Sequence, residues 1–300
     1  MFKFLADFLP IIIVGLSLGS LFGLVGLAFT VIINASQLVN FAQGDFAMFG
    51  VAVCWFALTV LNVPLWLAFP LGVIGAALFG LLTEKAIITP LQRRGARPFT
   101  MILGTMAVGI IAAGVVGAYT KFWWMKINPF LGSEPWKLKK LPIDHQGVMI
   151  IFATVVLVIG YWVFLNKTRL GLALRATGFN RDVSILLGIQ TAKMVGLSFL
   201  ISGVISGIAG ILCAPLSAFN AVQGLPLAIN GFIAVILGGW GNPYAALLGG
   251  ITLGLVRALL TGYLSSAYAE MATFFVLIIV LTLRPQGLFS RFMIPESKKN

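Results

Sequence analysis

A short polar segment near the start of the chain, residues 34–45, interrupts two long apolar runs. It contains four amides and one carboxylate, at Asn34, Gln37, Asn40, Gln43 and Asp45. Irregular polar backbone between membrane helices is tolerated only where it is buried in protein or lines a wet cavity, and broken helices at mid-depth often bind solutes. We therefore regard Asn40, Gln43 and Asp45 as candidates to line a passage for a polar solute. A surface loop is the alternative interpretation.

Arg257 is a second charged side chain inside an apolar run, which extends over Tyr244–Thr261. An arginine within a membrane is costly and usually faces the interior of a helix bundle, beside a partner. The candidate partners are Asp45, Glu270 and a carboxylate on a passing solute. The alternative is that Arg257 lies near a helix end and extends to the membrane interface.

Residues 166–193 are charged, whereas the sequence on either side of them is apolar. The stretch carries one acid, Asp182, and five bases, which are Lys167, Arg169, Arg175, Arg181 and Lys193. It is too charged to cross a bilayer, so we predict a loop in which the membrane domain meets a soluble partner. A basic loop that attracts anionic lipid headgroups is the alternative.

The residues that follow Asp182 predict a short helix within this loop. Val183, Leu186 and Leu187 would share one face of it, with the charges on the other face. Gly188 would end the helix, because glycine readily adopts the left-handed conformation found after helix ends. Such a helix suits insertion into a groove on another protein.

Enzyme chemistry finds little support in the sequence. There is no phosphate-binding G-x-x-x-x-G-K-[ST] motif, no H-E-x-x-H and no C-x-x-C. Eight acids and one histidine leave few general acids or bases. The two cysteines, Cys54 and Cys213, lie in apolar segments without metal-ligand spacing. We predict that the chain is not an enzyme and that it holds no metal or other cofactor.

Composition indicates a membrane protein. Hydrophobic residues make up 60% of the chain and charged residues only 9%, whereas soluble domains carry about 25% charged residues. We predict an all-α, polytopic bundle that forms a single transmembrane domain over residues 1–300, with about eight or nine hydrophobic segments. The net charge of +12 lies mainly in loops between apolar runs, which is typical of membrane topology and argues against nucleic acid as a partner.

The predicted membrane segments follow from runs of about 20 apolar residues. They are Leu9–Ile33, Phe46–Leu61, Leu65–Thr83, Phe99–Ala118, Gly147–Leu165, Met194–Leu216, Ala228–Leu237, Tyr244–Thr261 and Met271–Leu283. Two of them, Phe46–Leu61 and Ala228–Leu237, are short enough to be half-helices or re-entrant segments. The glycine-rich stretch Leu237–Tyr244 predicts a tight turn between two helices.

Lysine and arginine positions predict the orientation. Two spans separate the basic loop Glu84–Arg97 from residues 166–193, so both lie on one side, and residues 119–146 lie on the other. The basic tail that begins at Arg284 joins the first side if four passes follow Lys193. The first side then carries most of the bases, which predicts a cytoplasmic loop at 166–193 and a periplasmic loop at 119–146. The same parity puts the N-terminus outside if the polar segment 34–45 connects two full crossings, whereas a re-entrant polar segment would place the N-terminus inside.

The predicted outer loop combines lysines with aromatic residues, among them Phe122, Trp123, Trp124 and Trp136. Tryptophan and tyrosine concentrate at membrane interfaces, so an interfacial belt explains the pattern. A docking surface for a soluble partner is the alternative.

An ordered set of motifs resembles one family. They are Gly15-Leu-Ser-Leu-Gly-Ser20, Val39-Asn-Phe-Ala-Gln-Gly44, Thr168-Arg-Leu-Gly-Leu-Ala-Leu-Arg-Ala176, Leu186-Leu-Gly-Ile189, Leu237-Gly-Gly-Trp-Gly-Asn242 and Arg284-Pro-Gln-Gly-Leu-Phe289. Asp182–Gly188 resembles a degenerate form of the loop by which ABC-importer permeases contact their ATPases. Over almost its whole length, the chain is similar to permeases of branched-chain amino acid ABC transporters, of the LivH type.

The resemblance implies a membrane permease subunit in a bacterial inner membrane. Its implied partners are a second, related permease, two cytoplasmic ATPases that bind the ATP, and a periplasmic binding protein that delivers the solute. The implied coupling residues are Arg175, Asp182, Ser184 and Gly188, and the candidate pathway residues are Asn40, Gln43, Asp45 and Arg257. An ion-coupled secondary carrier of small organic or amino acids is the alternative function.

Arg257 and the basic, aromatic outer loop differ from what the family leads us to expect. A buried arginine could favour a carboxylate-bearing solute other than leucine, isoleucine or valine. On this hypothesis, Arg257→Ala abolishes uptake and leaves assembly with the ATPases intact.

Overall fold

The computed structural model of the chain describes residues 2–132, 136–138, 141–143, 145–217, 219–263 and 265–289. The predicted basic tail beyond Phe289 lies outside these residues, as does part of the loop predicted at residues 119–146. The side chains of residues 2–7, of both short strands and of residues 266, 267, 269 and 272 are also outside the description.

Helices account for nearly all of the described residues. In chain order they are α1 (Phe2–Ser36), α2 (Gln43–Thr59), α3 (Leu65–Thr83), a π-helical turn (Glu84–Ile88), α4 (Thr89–Arg93), α5 (Pro98–Thr120), α6 (His145–Lys167), α7 (Arg169–Phe179), α8 (Arg181–Leu186), α9 (Thr191–Cys213), α10 (Gly224–Gly238), α11 (Pro243–Tyr263) and α12 (Ser266–Leu283). Between α5 and α6, the strands β1 (Trp136–Leu138) and β2 (Leu141–Ile143) pair antiparallel. The predicted all-α, polytopic bundle is confirmed, and the small hairpin is an addition that the sequence did not indicate.

Six helices in the described part of the chain are long and apolar enough to cross a membrane. They are Phe8–Ser36, Leu65–Arg93, Pro98–Thr120, His145–Lys167, Thr191–Cys213 and Pro243–Tyr263. Three shorter apolar helices are Gln43–Thr59, Gly224–Gly238 and Thr273–Leu283. The first two of these correspond to the segments that the sequence predicted to be short.

One end of the bundle, which we call the basic end, gathers the connections that carry most of the described bases. Asn34, near the end of α1, donates from Nδ2 to the carbonyl oxygen of Gly241 at 3.0 Å. Gly178 of α7 lies against Asn34, and the Glu84 carboxylate lies near Gly196, in the first turns of α9. The basic end therefore comprises the 84–97 connection, α7, α8 and the 239–242 turn.

The opposite end, which we call the aromatic end, contains residues 121–132 and their exposed aromatic side chains. Met125 forms an isolated β-bridge with Phe219, and the Phe56 ring contacts Tyr119. Gln146 Nε2, at the start of α6, donates to the carbonyl oxygen of Leu212 at 2.6 Å. The long helices thus run alternately from one end to the other, in the order that the positions of the basic loops predicted.

Two mostly buried helices, α1 and α9, form the centre of the bundle. Small residues let their neighbours approach closely. A Cβ on Gly19 of α1 would lie 2.7 Å from the Cα of Ile251 in α11, and a Cβ on Gly203 of α9 would lie 2.5 Å from the carbonyl oxygen of Ala76 in α3. Such contacts between backbones stabilise helix pairs that the hydrophobic effect cannot hold together in lipid.

Candidate functional site

The polar segment 34–45 is a break between α1 and α2 inside the bundle. Gln37 has left-handed backbone, with φ of 57°, directly after α1 ends, and α2 begins at Gln43. Between them, the backbone N–H of Phe41 donates to Thr105 Oγ1 at 3.2 Å. Thr105 lies seven residues, or about 10 Å, beyond Pro98 at the start of α5. The break is therefore an internal segment packed against a membrane helix rather than a surface loop.

The carboxylate of Asp45 is enclosed by two glycines. Asp45 is 5% exposed. One of its oxygens lies against Gly224, the first residue of α10, and the other lies against Gly109, the central residue of α5. A Cβ on either glycine would overlap a carboxylate oxygen. Within the described ranges, no side chain or backbone group is paired with this carboxylate.

The helices α2 and α10 meet at their N-terminal ends. The carbonyl oxygen of Gly224 occupies the space that a Cβ on Gly44 would need, and the backbone nitrogen of Ala228 would lie 2.5 Å from that Cβ. With 17 and 15 residues, the two helices are about 25 and 22 Å long, less than the roughly 30 Å of a bilayer core. Helix N-termini carry partial positive charge, so both ends favour an anion at Asp45.

Gln43, at the start of α2, connects the break to the central helix α9. Its Nε2 donates to Ser206 Oγ at 2.5 Å, and its Oε1 accepts from Ser202 Oγ at 2.7 Å. Ser202 Oγ also lies 3.1 Å from the carbonyl oxygen of Ala28 in α1. All three side chains are buried. The Gln43 amide thus joins α2 to α9, and Ser202 extends the connection to α1.

Asn40 is also buried, but its side chain is only half satisfied. Its Oδ1 accepts from the backbone N–H of Ala42 at 3.2 Å, which shapes the turn into α2. Its Nδ2 is buried without a hydrogen-bond partner among the described residues. Leaving a buried donor unpaired is costly, and such groups often mark functional sites.

Arg257 lies elsewhere in the bundle, between α1 and α12. Its Nη2 is 3.5 Å from Glu270 Oε1, and its guanidinium carbon is 5.7 Å from the ring centroid of Phe22. The side chain of Arg257 is 23% exposed and that of Glu270 is 78% exposed. The structure therefore brings together Asn40, Gln43 and Asp45 in one break and places Arg257 apart from them.

The helices α7 and α8 form the projecting part of the basic end, and side chains and turns define their ends. Thr168 Oγ1 accepts from the N–H of Gly171 and starts α7, and Asn180 Oδ1 accepts from the N–H groups of Asp182 and Val183 and starts α8. These are typical N-caps. Asn180 was not singled out in the sequence, although an asparagine before a short apolar run is a recognisable signal.

Gly188 ends α8 as predicted. Its φ is 76°, its N–H donates to the carbonyl of Ile185, and the N–H of Ile189 donates to the carbonyl of Ser184. This pair of bonds is a Schellman motif, which requires a left-handed residue at the glycine position. The predicted helix over the residues that follow Asp182 is confirmed.

The coupling candidates differ in their surroundings. Ser184 is buried, and its Oγ donates to the carbonyl oxygen of Asn180 at 2.8 Å. Arg175 Nη1 donates to Asn166 Oδ1 at 2.6 Å, which fixes α7 to the end of α6. Asp182 and Gly188 are exposed.

An apolar surface on α7 and α8 accompanies these residues. From the last residue of α7 to the residue that follows α8, the large exposed side chains are Phe179, Val183, Ile185, Leu186 and Leu187. They lie in a connection between two membrane helices, where water rather than lipid is the expected surrounding. Large apolar residues clustered on a water-facing surface mark interaction sites. Each of the five could therefore be buried by a partner without rearrangement of the core.

Nothing in the described residues gathers three or more His, Cys, Asp or Glu side chains into a metal-binding cluster. The residues around the break are instead amides, hydroxyls and one carboxylate. Such a site can bind a small polar solute by hydrogen bonds and charge.

The sequence matches the family described as "Branched-chain amino acid transport system / permease component" over residues 11–281. A relative from Methanocaldococcus jannaschii, the probable branched-chain amino acid transport permease protein LivH, is 29% identical over 279 residues, which cover 88% of this chain and 87% of the relative. The high-affinity branched-chain amino acid transport system permease protein BraD of Pseudomonas aeruginosa is 27% identical over 298 residues, 95% of each chain. Among solved structures, PsaBC from Streptococcus pneumoniae in complex with Fab matches with a TM-score of 0.53 at 15% identity. It covers 96% of this chain and 94% of that chain, and the likeness concerns the fold alone.

Proposed function

The chain belongs to the family of permease components of branched-chain amino acid transport systems, and we propose that it forms the membrane pathway of an ATP-driven importer for branched-chain amino acids or a related small carboxylate solute. It is a multi-pass membrane protein with a transport rather than a catalytic role. The observation that carries the proposal is the meeting of two short helices, α2 and α10, at a buried polar break. Transporters commonly bind solutes where discontinuous helices end near the midplane.

In this proposal, the solute passes along the polar break between α1 and α2. Asn40, Gln43 and Asp45 contribute its polar groups, with Gln43 holding α2 against α9 and Asp45 lying where α2, α5 and α10 converge. Arg257 contributes at a second place, beside Glu270. A solute carboxylate would replace Glu270 at this guanidinium. The separation of the two places is consistent with a solute that passes them in succession.

The ATPase subunits bind the apolar surface of α7 and α8 in this proposal. Leu186 and Phe179 are among its most exposed members, and they would insert into a groove on the ATPase in the helix-in-groove mode. Gly178 of α7 rests on Asn34, which is bonded to Gly241 just after α10. A displacement of α7 would thus act directly on α1 and on the end of α10, and α10 reaches Asp45 at its other end.

The proposed assembly contains a second, related permease, two cytoplasmic ATPases and a periplasmic binding protein. The basic end faces the cytoplasm, because lysine and arginine concentrate in cytoplasmic loops. Residues 119–146 then face the periplasm of a bacterial inner membrane, where residues 121–132 expose Trp123 and Trp124. These aromatic side chains suit either the membrane interface or the binding protein.

Reconstitution tests this function. The chain is co-expressed with its partner permease and ATPases, placed in liposomes that contain ATP, and given radiolabelled L-leucine on the binding protein. We expect uptake that requires ATP and continues after proton and sodium gradients are dissipated. Uptake that needs an ion gradient but no ATP would support the secondary carrier instead and would contradict the proposal.

A further inference from the structure

Asp45 is a buried carboxyl group whose hydrogen-bonding capacity is unused within the described residues. The N-terminal ends of α2 and α10 both adjoin it, which favours its ionised form. An ionised carboxylate has about four acceptor positions, and none is filled by a described residue. A buried group of this kind is suited to a ligand that brings several N–H donors and a positive charge.

Two helices, α5 and α10, enclose the Asp45 carboxylate. Gly109 and Gly224 present backbone without side chains to the two carboxylate oxygens. The helix that contributes Gly109, α5, is mostly unburied within this chain, with exposed apolar residues at Leu103, Ile110 and Val115. Since α5 is less embedded than α1 or α9, its separation from α2 is the change that would expose Asp45.

Asn40 adds a hydrogen-bond donor in the same break, whereas Asp45 offers acceptors. Its Nδ2 is a buried donor without a partner among the described residues, five positions before Asp45. A free α-amino acid carries an ammonium with three donors and a carboxylate that accepts. The acceptor oxygens of Asp45 thus match the ammonium of a zwitterion, and the Asn40 donor matches its carboxylate.

We infer that Asp45 binds the ammonium group of the transported amino acid where α2 meets α5 and α10, and that Asn40 Nδ2 donates to the carboxylate of the same molecule. This inference rests on the proposed transport function and names the chemistry of its solute site. It excludes solutes that carry only a carboxylate, because the Asp45 carboxylate would repel them.

Binding to the intact permease–ATPase complex in lipid nanodiscs, without the binding protein, tests the site directly. Radiolabelled L-leucine is displaced with 3-methylbutylamine, which has the ammonium alone, or with 4-methylpentanoate, which has the carboxylate alone. On the wild type we expect displacement by the amine and none by the acid at equal concentration. Displacement by the acid only, or no saturable leucine binding, would overturn the inference without recourse to any variant.

The variant Asp45→Asn keeps the shape of the side chain and removes its charge. Loss of one charge-assisted contact should weaken leucine binding at least about tenfold and abolish displacement by the amine. The matched control is Glu84→Gln, which neutralises another buried acid whose partner is Thr89 Oγ1. That control should bind leucine as the wild type does.

ATP-driven leucine uptake by the complete transporter is measured in parallel. If the wild type takes up leucine and Asp45→Asn binds and transports it equally well, the inference fails and the transport function stands. If the wild type shows no ATP-driven uptake, the transport function itself fails. Gel filtration and the thermal midpoint of each complex confirm that Asp45→Asn is assembled.

Discussion

The Asp45 carboxylate and Gly109 are in direct contact, and position 109 has no space for even a methyl group. Gly109 is the central residue of α5, and Asp45 lies in the first turn of α2. The contact therefore sets how closely α5 approaches the break between α1 and α2. A side chain at position 109 would have to displace either the carboxylate or the helix.

Gly109→Ala should accordingly impair transport. The added Cβ overlaps a carboxylate oxygen, and overpacking of this kind costs about 1–3 kcal/mol, so uptake should fall by a factor of about 5 to 150. The measurement is ATP-driven uptake of radiolabelled leucine in liposomes with matched protein content. Gly114→Ala is the control on the same helix, because a Cβ there meets nothing within 4 Å. Equal uptake by the two variants would show that the contact is not needed for transport.

Gln43→Leu should destabilise the chain. It removes both hydrogen bonds that join α2 to α9. The Ser206 hydroxyl is then left in a buried place without its partner, whereas Ser202 Oγ still has the carbonyl oxygen of Ala28 at 3.1 Å. The expected loss is about 2 kcal/mol in the free energy of unfolding, because unpaired buried polar groups cost more than an absent pair. Unfolding in mixed detergent micelles measures it.

The double variant Gln43→Leu, Ser206→Ala separates this cause from a change of shape. Removing the stranded Ser206 hydroxyl should restore part of the lost stability. If the double variant is no more stable than Gln43→Leu, the unpaired hydroxyl is not the source of the effect.

The helices and the family could be predicted from the sequence because both depend on local runs and ordered motifs. The predicted span Gly147–Leu165 lies inside α6, and Leu65–Thr83 matches α3. The two segments predicted to be short correspond to α2 and α10. Membership of the permease family, predicted from motifs spread over the chain, is confirmed by the match over residues 11–281. Counting membrane crossings in the sequence also predicted the order in which the helices run between the basic end and the aromatic end.

The surroundings of the polar break could not be predicted in the same way. Gln43 bonds to residues that are 159 and 163 positions away in the chain, and such contacts depend on how the helices pack. Gly109 and Gly224 are two of 34 glycines, and nothing local distinguishes them from the rest. The sequence identified Asp45 as a charged group in an apolar region, but it did not indicate that α5 and α10 enclose it.

Gly188→Val should uncouple ATP hydrolysis from transport. Gly188 has φ of 76°, and a β-branched residue in that conformation costs about 1–2 kcal/mol, which favours unwinding of the end of α8. We expect a loss of uptake by a factor of about 5 to 30, since each 1.4 kcal/mol corresponds to a factor of ten. Gly95→Val is the control, because Gly95 has a similar φ of 66° and open space around it, in a different connection at the basic end. If Gly95→Val and Gly188→Val lose uptake equally, strain anywhere at this end explains the loss.

Leu186→Ser should weaken binding of the ATPase subunits without affecting the fold. Leu186 is 85% exposed, so replacing its side chain removes little contact within the chain. Burial of a leucine at an interface contributes about 1.5–3 kcal/mol, so the affinity should fall at least about tenfold. Titration of tagged ATPase against the nanodisc-embedded permease measures the change. Leu283→Ser is the matched control, as Leu283 is 75% exposed at the end of α12, and retention of full affinity by Leu186→Ser would remove α8 from the proposed interface.

Arg257→Ala should reduce uptake far more than Glu270→Ala does. Glu270 is 78% exposed, and an exposed ion pair contributes little to stability, so removal of the carboxylate should leave the bundle and its transport nearly unchanged. Removal of the guanidinium would also take away the group proposed to meet a solute carboxylate, and the lost charge-assisted hydrogen bond predicts at least about a tenfold decrease. Both variants should retain the ATPase subunits on co-purification. Equal losses of uptake in the two variants would instead identify the ion pair between α11 and α12 as the feature that matters, and unchanged uptake in Arg257→Ala would exclude this residue from the pathway.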